Sequence, residues 1–201
     1  MNPLVVLPEV VLDLSPFVRM TPEAFAQFCA ANPDLVAELN PAGEIELMSP
    51  TGFLGNDYES ILFGELYGWW KNHRRGTVRN STVGLTLPNG AIRSPDVSWF
   101  SPATLAGVPP EGLEGFPTLV PDFVAEIRSA SDRLPKLQAK LEEYRSVGVL
   151  LGWLLDPANH TAWVYRPGAA AEAVDLTAQP LLDGAPVLPG FVFDTRLLRV
   201  G

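Results

Sequence analysis

Apolar and polar positions alternate along residues 121–129, PDFVAEIRS, and this pattern predicts a β-strand. Successive side chains of a strand point to opposite faces of its sheet. One predicted face therefore carries Asp122, Val124, Glu126 and Arg128. Glu126 lies in the middle of a strand that we expect to be central and largely buried. A carboxylate at such a position needs a cation beside it, because burying an unpaired charge is unfavourable.

A second pattern, with the period of a helix, runs from Arg133 to Val147. Its apolar stripe consists of Leu134, Leu137, Leu141 and Tyr144. Lys140 lies at the edge of this buried face, where a lysine can bury its aliphatic stem and direct its ammonium towards the end of the sheet. The alternative is an ordinary flanking lysine that pairs with Glu143 or another exposed acid.

The remaining patterns predict an α/β fold with a mixed central sheet. Thr21 as N-cap and Pro22 at the first helical position begin a helix in MTPEAFAQFCAAN. The segments LVAELN and EIELMS flank NPAG as a β-hairpin. Further predicted elements are a helix at 56–75, strands at 82–87, 93–100, 149–156, 161–167 and 190–198, and a long loop at 101–121. We expect a single domain over residues 1–201, with its core at about 20–167 and C-terminal strands at 172–201 packed on it.

Composition narrows the class of protein. The 201 residues are 47% hydrophobic and include five Trp and ten Phe, which favours a packed core over disorder. The one cysteine, Cys29, excludes an internal disulfide and a thiolate zinc cluster, and we expect it to be a small buried hydrophobe. The apolar N-terminal segment lacks a basic region and contains Pro3 and Pro8, so no signal peptide is predicted. We therefore expect a cytoplasmic protein that does not enter a membrane. Neither a P-loop nor a dinucleotide-binding motif occurs, so no small organic cofactor is expected.

The net charge of −9 works against nucleic-acid binding over most of the surface. Such binding would need local basic patches, a partner chain or a metal. One candidate patch lies beside Trp69 and Trp70 and contains Lys71, Arg74, Arg75 and Arg79. Arg133 and Lys136 are candidates in the segment 128–145. The alternative for the first patch is a capped helix end with core tryptophans.

Two carboxylates are candidate metal ligands. Asp96 follows Pro95 at a strand start, and Glu126 lies within a strand. Neighbouring carboxylates repel each other unless a hard dication such as Mg²⁺ lies between them. The alternatives are a turn or capping role for Asp96 and a buried, non-catalytic Glu126–Arg128 ion pair. Glu59 falls inside the apolar arc of the helix at 56–75, so it is either a third ligand or a first-turn carboxylate that favours the helix dipole.

These residues resemble the Uma-two family of restriction endonuclease-like proteins, in the PD-(D/E)XK nuclease superfamily. The resemblance rests on SPDVSWF, on the long run PDFVAEIRSASDRLPKLQAKLEEYRSVGVLLGWLLDP, on VYRP and on the hairpin ELNPAGEIELMSPTG. It extends from about Met20 to Pro167. It implies a restriction-endonuclease-like core with an N-terminal helix and hairpin.

The resemblance also implies roles for individual residues. Asp96 is similar to the acid of the "PD" half, and Glu126 to the acid of the "(D/E)XK" half. Arg128 occupies the position of the superfamily lysine, and an arginine stays protonated. Lys140, in the run KLEEY, is the residue that takes over in this family. Glu59 is similar to the acid on the first core helix of many members.

Two hypotheses follow. The first is a Mg²⁺- or Mn²⁺-dependent endonuclease that hydrolyses DNA, with Asp96 and Glu126 on the metal, Lys140 assisting, and Arg128 as a further catalytic candidate. The second is a catalytically inactive module that keeps the fold for binding or assembly, which the acidic charge and Arg128 favour. A homodimer is also expected, because members of the superfamily often pair and the terminal segments are apolar.

Overall fold

The computed structural model describes residues 10–12, 19–48 and 53–198. Within them the α-helices are α1 (Pro22–Ala31), α2 (Phe53–His73), α3 (Pro102–Leu105) and α4 (Leu134–Ser146). The strands of the N-terminal half are β1 (Val10–Leu12), β2 (Ala37–Leu39), β3 (Ile45–Leu47), β4 (Thr77–Asn80), β5 (Leu85–Thr86), β6 (Ile92–Arg93) and β7 (Val97–Phe100). Those that follow are β8 (Phe123–Ile127), β9 (Leu151–Asp156), β10 (Thr161–Tyr165), β11 (Glu172–Asp175), β12 (Leu181–Asp183) and β13 (Val192–Asp194).

The strands form a large mixed sheet and a second, antiparallel one. The large sheet has the order β11-β10-β9-β8-β7-β4. Only β8 and β9 run parallel in it, and α4 is the crossover between them. The second sheet has the order β1-β3-β2-β6-β5, and β12 pairs with β13 separately. This arrangement confirms the predicted α/β class, with a mixed sheet, flanking helices and an N-terminal helix and hairpin.

The two faces of the large sheet are covered by different helices. Phe123, Ala125 and Ile127 pack in one cluster with the α2 residues Leu62 and Leu66. Val124 packs on the other face, in a cluster that contains Leu141 and Tyr144 of α4. The predicted alternation along β8 is therefore confirmed, and so is the predicted apolar stripe of α4, to which Leu134 and Leu137 contribute at the margin.

Local signals explain where the helices begin and end. The side chain of Thr21 caps α1 by accepting a hydrogen bond from the backbone of Ala24 at 3.3 Å, and Pro22 is the first helical residue, both as predicted. The second helix ends at His73, two residues earlier than predicted, because Arg74 and Gly76 take left-handed backbone angles of φ 54° and 69°.

Four segments differ from the sequence prediction. The predicted strand at 93–100 divides into the end of β6 and the whole of β7, which belong to different sheets. The predicted loop 101–121 contains α3 and a 3-10 turn at Pro110–Leu113. It also joins the second sheet through a bridge from Thr118 to Thr86. Strand β4 was not predicted, and only Leu85–Thr86 of the predicted strand at 82–87 pairs. Propensity alone does not identify such short strands, whose pairing depends on neighbours that are distant in sequence.

The segments at the two ends of the chain are described only in part. Beyond β10, β11 extends the large sheet, while Leu182 and Phe193 of the β12–β13 pair join the core under α2. Most of the apolar N-terminal segment that we expected at a dimer interface lies outside the described residues, so the dimer stays a prediction. Within residues 10–12, 19–48 and 53–198, no helix combines the length and the apolar character needed to cross a membrane.

Candidate metal centre

Asp96 and Glu126 meet at one edge of the large sheet. Strands β7 and β8 are antiparallel, with Val97 opposite Ala125, so Asp96 and Glu126 stand opposite each other one step further along. Opposite residues of such a pair have Cβ atoms about 5 Å apart and point to the same face. The Asp96 carboxylate is anchored to β8, because its Oδ2 accepts a hydrogen bond from the backbone N–H of Ile127 at 2.7 Å. The Asp96 side chain therefore does not cap a turn, as the alternative predicted, but accepts a hydrogen bond from the neighbouring strand β8.

The surroundings of Asp96 and Glu126 make the ionised form of each carboxyl group less favourable. Burial, and then the charge of Glu126, raises the pKa of Asp96 well above its ordinary value. Burial also raises the pKa of Glu126, which is 4% exposed, although the nearby Lys140 opposes the shift. Asp96 Oδ1 and Glu126 Oε2 accept no hydrogen bond from any described residue. Among the described residues, the pair therefore has two oxygens without a hydrogen-bond donor, and Lys140 is the cation in direct contact with it.

Lys140 is the cation at this pair. Its Nζ lies 2.9 Å from Glu126 Oε1, and Tyr144, one turn further along α4, donates a hydrogen bond to the same oxygen at 2.9 Å. Burial would lower the pKa of Lys140, but the charges of Glu126 and Glu38 more than offset this and raise it above the ordinary value. Lys140 therefore stays an ammonium at neutral pH. The alternative in which it pairs with Glu143 is wrong, because Glu143 binds Arg93 instead.

Arg128 faces a different partner. Its Nη1 donates to Asp156 Oδ2 at 2.7 Å, and its Nε donates to the backbone oxygen of Asp132. The described contacts of Glu126 are with Lys140 and Tyr144, so the alternative of a Glu126–Arg128 ion pair is wrong. Arg128 shares a face with Glu126, but it lies past the end of β8 and turns to the end of β9. The structure thus places Lys140, and not Arg128, against the carboxylate.

Glu59 lies near the pair without joining it. It projects from α2, which covers the face of the sheet opposite to the one that carries Val124 and Glu126. Its carboxylate accepts a hydrogen bond from Ser81, and its charge contributes to the raised pKa of Asp96. Beside it is a cavity of about 430 Å³, also lined by Asn56, Ser60, Phe63, Asn80, Ser81 and Thr82. Across residues 10–12, 19–48 and 53–198, no three His, Cys, Asp or Glu side chains form a cluster that could hold a metal. The predicted three-carboxylate set is therefore not assembled.

The predicted basic residues fall into two groups. Arg133 and Lys136 lie at the start of α4, one or two turns before Lys140, and Lys136 Nζ lies 3.2 Å from Glu46. Arg74 and Arg75 are exposed just beyond the end of α2, about 20 Å from Glu59 along the helix axis. Trp69 there is buried, and the Arg74 guanidinium stacks over Trp70 at 5.4 Å, as in the predicted capped helix end.

Sequence reasoning missed the second sheet's contribution to the site. Arg93 of β6 lies 3.0 Å from Glu38, 2.5 Å from Glu46 and 2.7 Å from Glu143. Glu38 and Glu46 face each other directly across the β2–β3 hairpin. The predicted hairpin contained a signal for this, because glutamates opposite each other between apolar neighbours require a cation beside them.

The charges of the site can be counted together. We call the following residues the charge cluster: Asp96, Glu126, Glu38 and Lys140. Three carboxylates face one cation, so the fully ionised cluster carries an excess of two negative charges. Around it, the cations Arg93 and Lys136 are matched in number by Glu46 and Glu143. One divalent ion would neutralise this excess. Mg²⁺ is commonly held by one or two carboxylates with the remaining positions on water, which suits a two-carboxylate site.

A hydroxyl without a described partner lies on the same face of the sheet as the pair. Ser98 follows Asp96 by two residues and points to the same face of β7. It is fully buried, and its hydroxyl has no hydrogen-bond partner among the described residues. A buried hydroxyl usually binds protein or ordered water. Ser98 is thus a buried donor on the face that carries Asp96 and Glu126, which fits a water bound near a dication there.

Comparisons with known proteins identify a family and a shared fold. A family model described as "Uma2: Putative restriction endonuclease" matches residues 22–197. Among solved structures, the chain is similar to a crystal structure described as "a putative nuclease belonging to DUF820" from Anabaena variabilis, with a TM-score of 0.75 and 21% identity. The match covers 89% of this chain and 97% of that one, and at this identity it shows the shared fold alone. No curated protein matches the chain.

Proposed function

This chain belongs to the Uma2 family, and we propose that it is a metal-dependent endonuclease that hydrolyses DNA phosphodiester bonds. The observation that carries the proposal is the pair of opposed carboxylates, Asp96 and Glu126. Each keeps an oxygen that accepts no hydrogen bond from the described residues, both have raised pKa values, and both lie beside a buried ammonium. Such a pair is unfavourable for folding alone, and perturbed carboxylates in this arrangement are typical of functional sites.

Each residue has a defined role in the proposal. Asp96 Oδ1 and Glu126 Oε2 would hold Mg²⁺ or Mn²⁺, which when bound polarises a phosphoryl oxygen and acidifies water. Tyr144 orients Glu126 through its 2.9 Å hydrogen bond. Lys140 supplies positive charge where negative charge develops on the phosphate, and its raised pKa makes it an electrostatic group and not a proton acceptor. Arg128 has a structural role at Asp156 in this scheme.

The acidic chain would approach DNA through local charge. Arg133 and Lys136 lie on the helix that carries Lys140, and we assign them to the phosphates next to the cleaved bond. Arg74 and Arg75 are too far from the centre to share that phosphate, so they would contact the backbone elsewhere. Binding that depends on a few cations against a net charge of −9 should weaken steeply with salt. The cytoplasm is the proposed compartment, and a homodimer is a further part of the proposal.

Plasmid nicking tests the proposal. Wild-type protein with supercoiled DNA and Mn²⁺ or Mg²⁺ should produce nicked circles, and excess chelator should stop the reaction. Asp96→Ala should remove cleavage, while the exposed β11 variant Glu172→Ala should cleave like wild type and control for preparation. Equal cleavage by wild type and Asp96→Ala would assign the nicking to a contaminant and overturn the proposal. Metal-independent DNA binding without cleavage would favour the inactive binding module.

A further inference from the structure

We infer that Glu38, on the N-terminal hairpin, is a positioning residue that holds the Lys140 ammonium beside Glu126. The inference rests on the proposed function, because it assigns the second sheet a part in the same centre. Glu38 Oε1 lies 3.0 Å from Lys140 Nζ, and Glu126 Oε1 lies 2.9 Å from the same nitrogen. The ammonium is thus held between two carboxylates, one from each sheet.

Glu38 is itself held firmly. It is 3% exposed, and its Oε1 also accepts a hydrogen bond from the backbone N–H of Ser94 at 2.7 Å. Its Oε2 lies 3.0 Å from Arg93. Strand β2, which carries Glu38, pairs directly with β6, which carries Arg93. A carboxylate fixed by two elements of the second sheet is a rigid anchor for a lysine, whose long side chain otherwise has several rotamers.

The consequence concerns Glu126. An ammonium shared between two carboxylates neutralises each of them only in part, so Glu126 keeps negative charge for a metal ion. Without the charge of Glu38, the ammonium would pair with Glu126 alone and compete with the metal for it. Glu38 therefore tunes the metal affinity of the centre without touching the metal.

A purely structural role of Glu38 towards Arg93 does not explain this contact. Arg93 already binds Glu46 at 2.5 Å and Glu143 at 2.7 Å. Glu46 stands directly opposite Glu38 in the hairpin, is also buried and binds the same guanidinium. Its described contacts are with Arg93, Lys136 and Asn40 and do not include Lys140. The chain therefore contains its own matched control.

The experiment compares Glu38→Gln with Glu46→Gln, since each change removes one negative charge beside Arg93. Calorimetric titration with Mn²⁺ should show about a tenfold weaker affinity in Glu38→Gln and less than a twofold change in Glu46→Gln. Single-turnover nicking at saturating Mn²⁺ should fall about 10- to 100-fold in Glu38→Gln alone, because Lys140 is no longer fixed. Equal changes in the two variants would overturn the inference and leave the proposed function intact.

A readout without metal separates the two proposals. Reductive methylation of Lys140, followed by mass spectrometry, should be several-fold faster in Glu38→Gln than in wild type or Glu46→Gln. If wild type binds no Mn²⁺, the proposed function fails. The labelling rates then test the positioning role by themselves, and equal rates in Glu38→Gln and wild type would overturn that role. If Glu38→Gln folds poorly, Glu38→Asp replaces it. Because the shorter side chain holds the ammonium less closely, the labelling rate of Lys140 should again be higher than in wild type. In a Lys140→Met background, Glu38→Gln should no longer weaken Mn²⁺ affinity. If it still does, Glu38 does not act through Lys140.

Discussion

The ammonium of Lys140 lies 2.9 Å from the carboxylate of Glu126, although the first belongs to α4 and the second to β8. Breaking a buried pair by removing one partner leaves an uncompensated charge. We expect Lys140→Met to lower the free energy of unfolding by about 3 kcal/mol. Lys136→Met, one turn earlier on the same helix, should cost less than about 1 kcal/mol, because Lys136 is more exposed. Urea unfolding measures both, and similar losses would show that the Lys140 pair is not special.

Asp96 and Asp122 directly precede the neighbouring strands β7 and β8, and they differ in how many hydrogen bonds their carboxylates accept. The Asp122 carboxylate accepts hydrogen bonds from the Ser101 backbone and hydroxyl and from Thr104, whereas Asp96 accepts only one from Ile127 among the described residues. Without metal, Asp96→Asn should therefore raise the free energy of unfolding by about 1 kcal/mol. Asp122→Asn should lower it by about 1 to 3 kcal/mol. Chemical denaturation in chelator measures both, and destabilisation by Asp96→Asn would contradict an uncompensated charge there.

The raised pKa of Asp96 predicts a dependence on pH with a definite sign. The folded protein keeps this proton to higher pH than the unfolded chain does, whose aspartates titrate near pH 4. Metal-free wild type should therefore lose stability relative to Asp96→Asn as the pH rises from about 4 through the raised pKa. The difference in free energy of unfolding between the two proteins, measured across this range, should shrink towards acid. A difference that does not change with pH would contradict the raised pKa.

Metal affinity should change with pH in the opposite direction. Asp96 and Glu126 must lose their protons to bind a cation, so Mn²⁺ affinity should rise as the pH increases through their raised pKa values. Calorimetry in buffers of different ionisation enthalpy should also detect protons released on binding. Constant affinity, with no proton release, would show that the two carboxyls are already ionised or are not the ligands.

The contact of Arg128 with Asp156 predicts a structural effect of substitution. Arg128→Ala leaves Asp156, which is almost fully buried, with only Asn159 as a described partner. It should lower the free energy of unfolding by about 1 to 3 kcal/mol, while nicking below the unfolding temperature stays within about tenfold of wild type. Lys140→Ala should reduce nicking at least a hundredfold under the same conditions. A loss of cleavage in Arg128→Ala greater than about tenfold would instead assign the role of the motif lysine to Arg128.

Much of the fold follows from patterns that extend only a few residues. The cap at Thr21, the stripe Leu134–Tyr144 and the alternation around Glu126 each depend on local geometry, and each agrees with the structure. Strand β4 was not predicted, because its four residues carry too little periodicity to indicate a strand, and its partner lies about twenty residues away.

The sequence by itself determined which face each acid and base occupies, because side-chain direction repeats with the period of its own helix or strand. It placed Glu126 on the polar face of β8 and Lys140 at the edge of α4. Only the tertiary structure decided the partners: Lys140 with Glu38 and Glu126, Arg128 with Asp156, and Asp96 across from Glu126. The physical reason is that a partner is chosen by how sheets and helices pack, and Glu38 reaches Lys140 across 102 residues of chain only because the second sheet packs against α4.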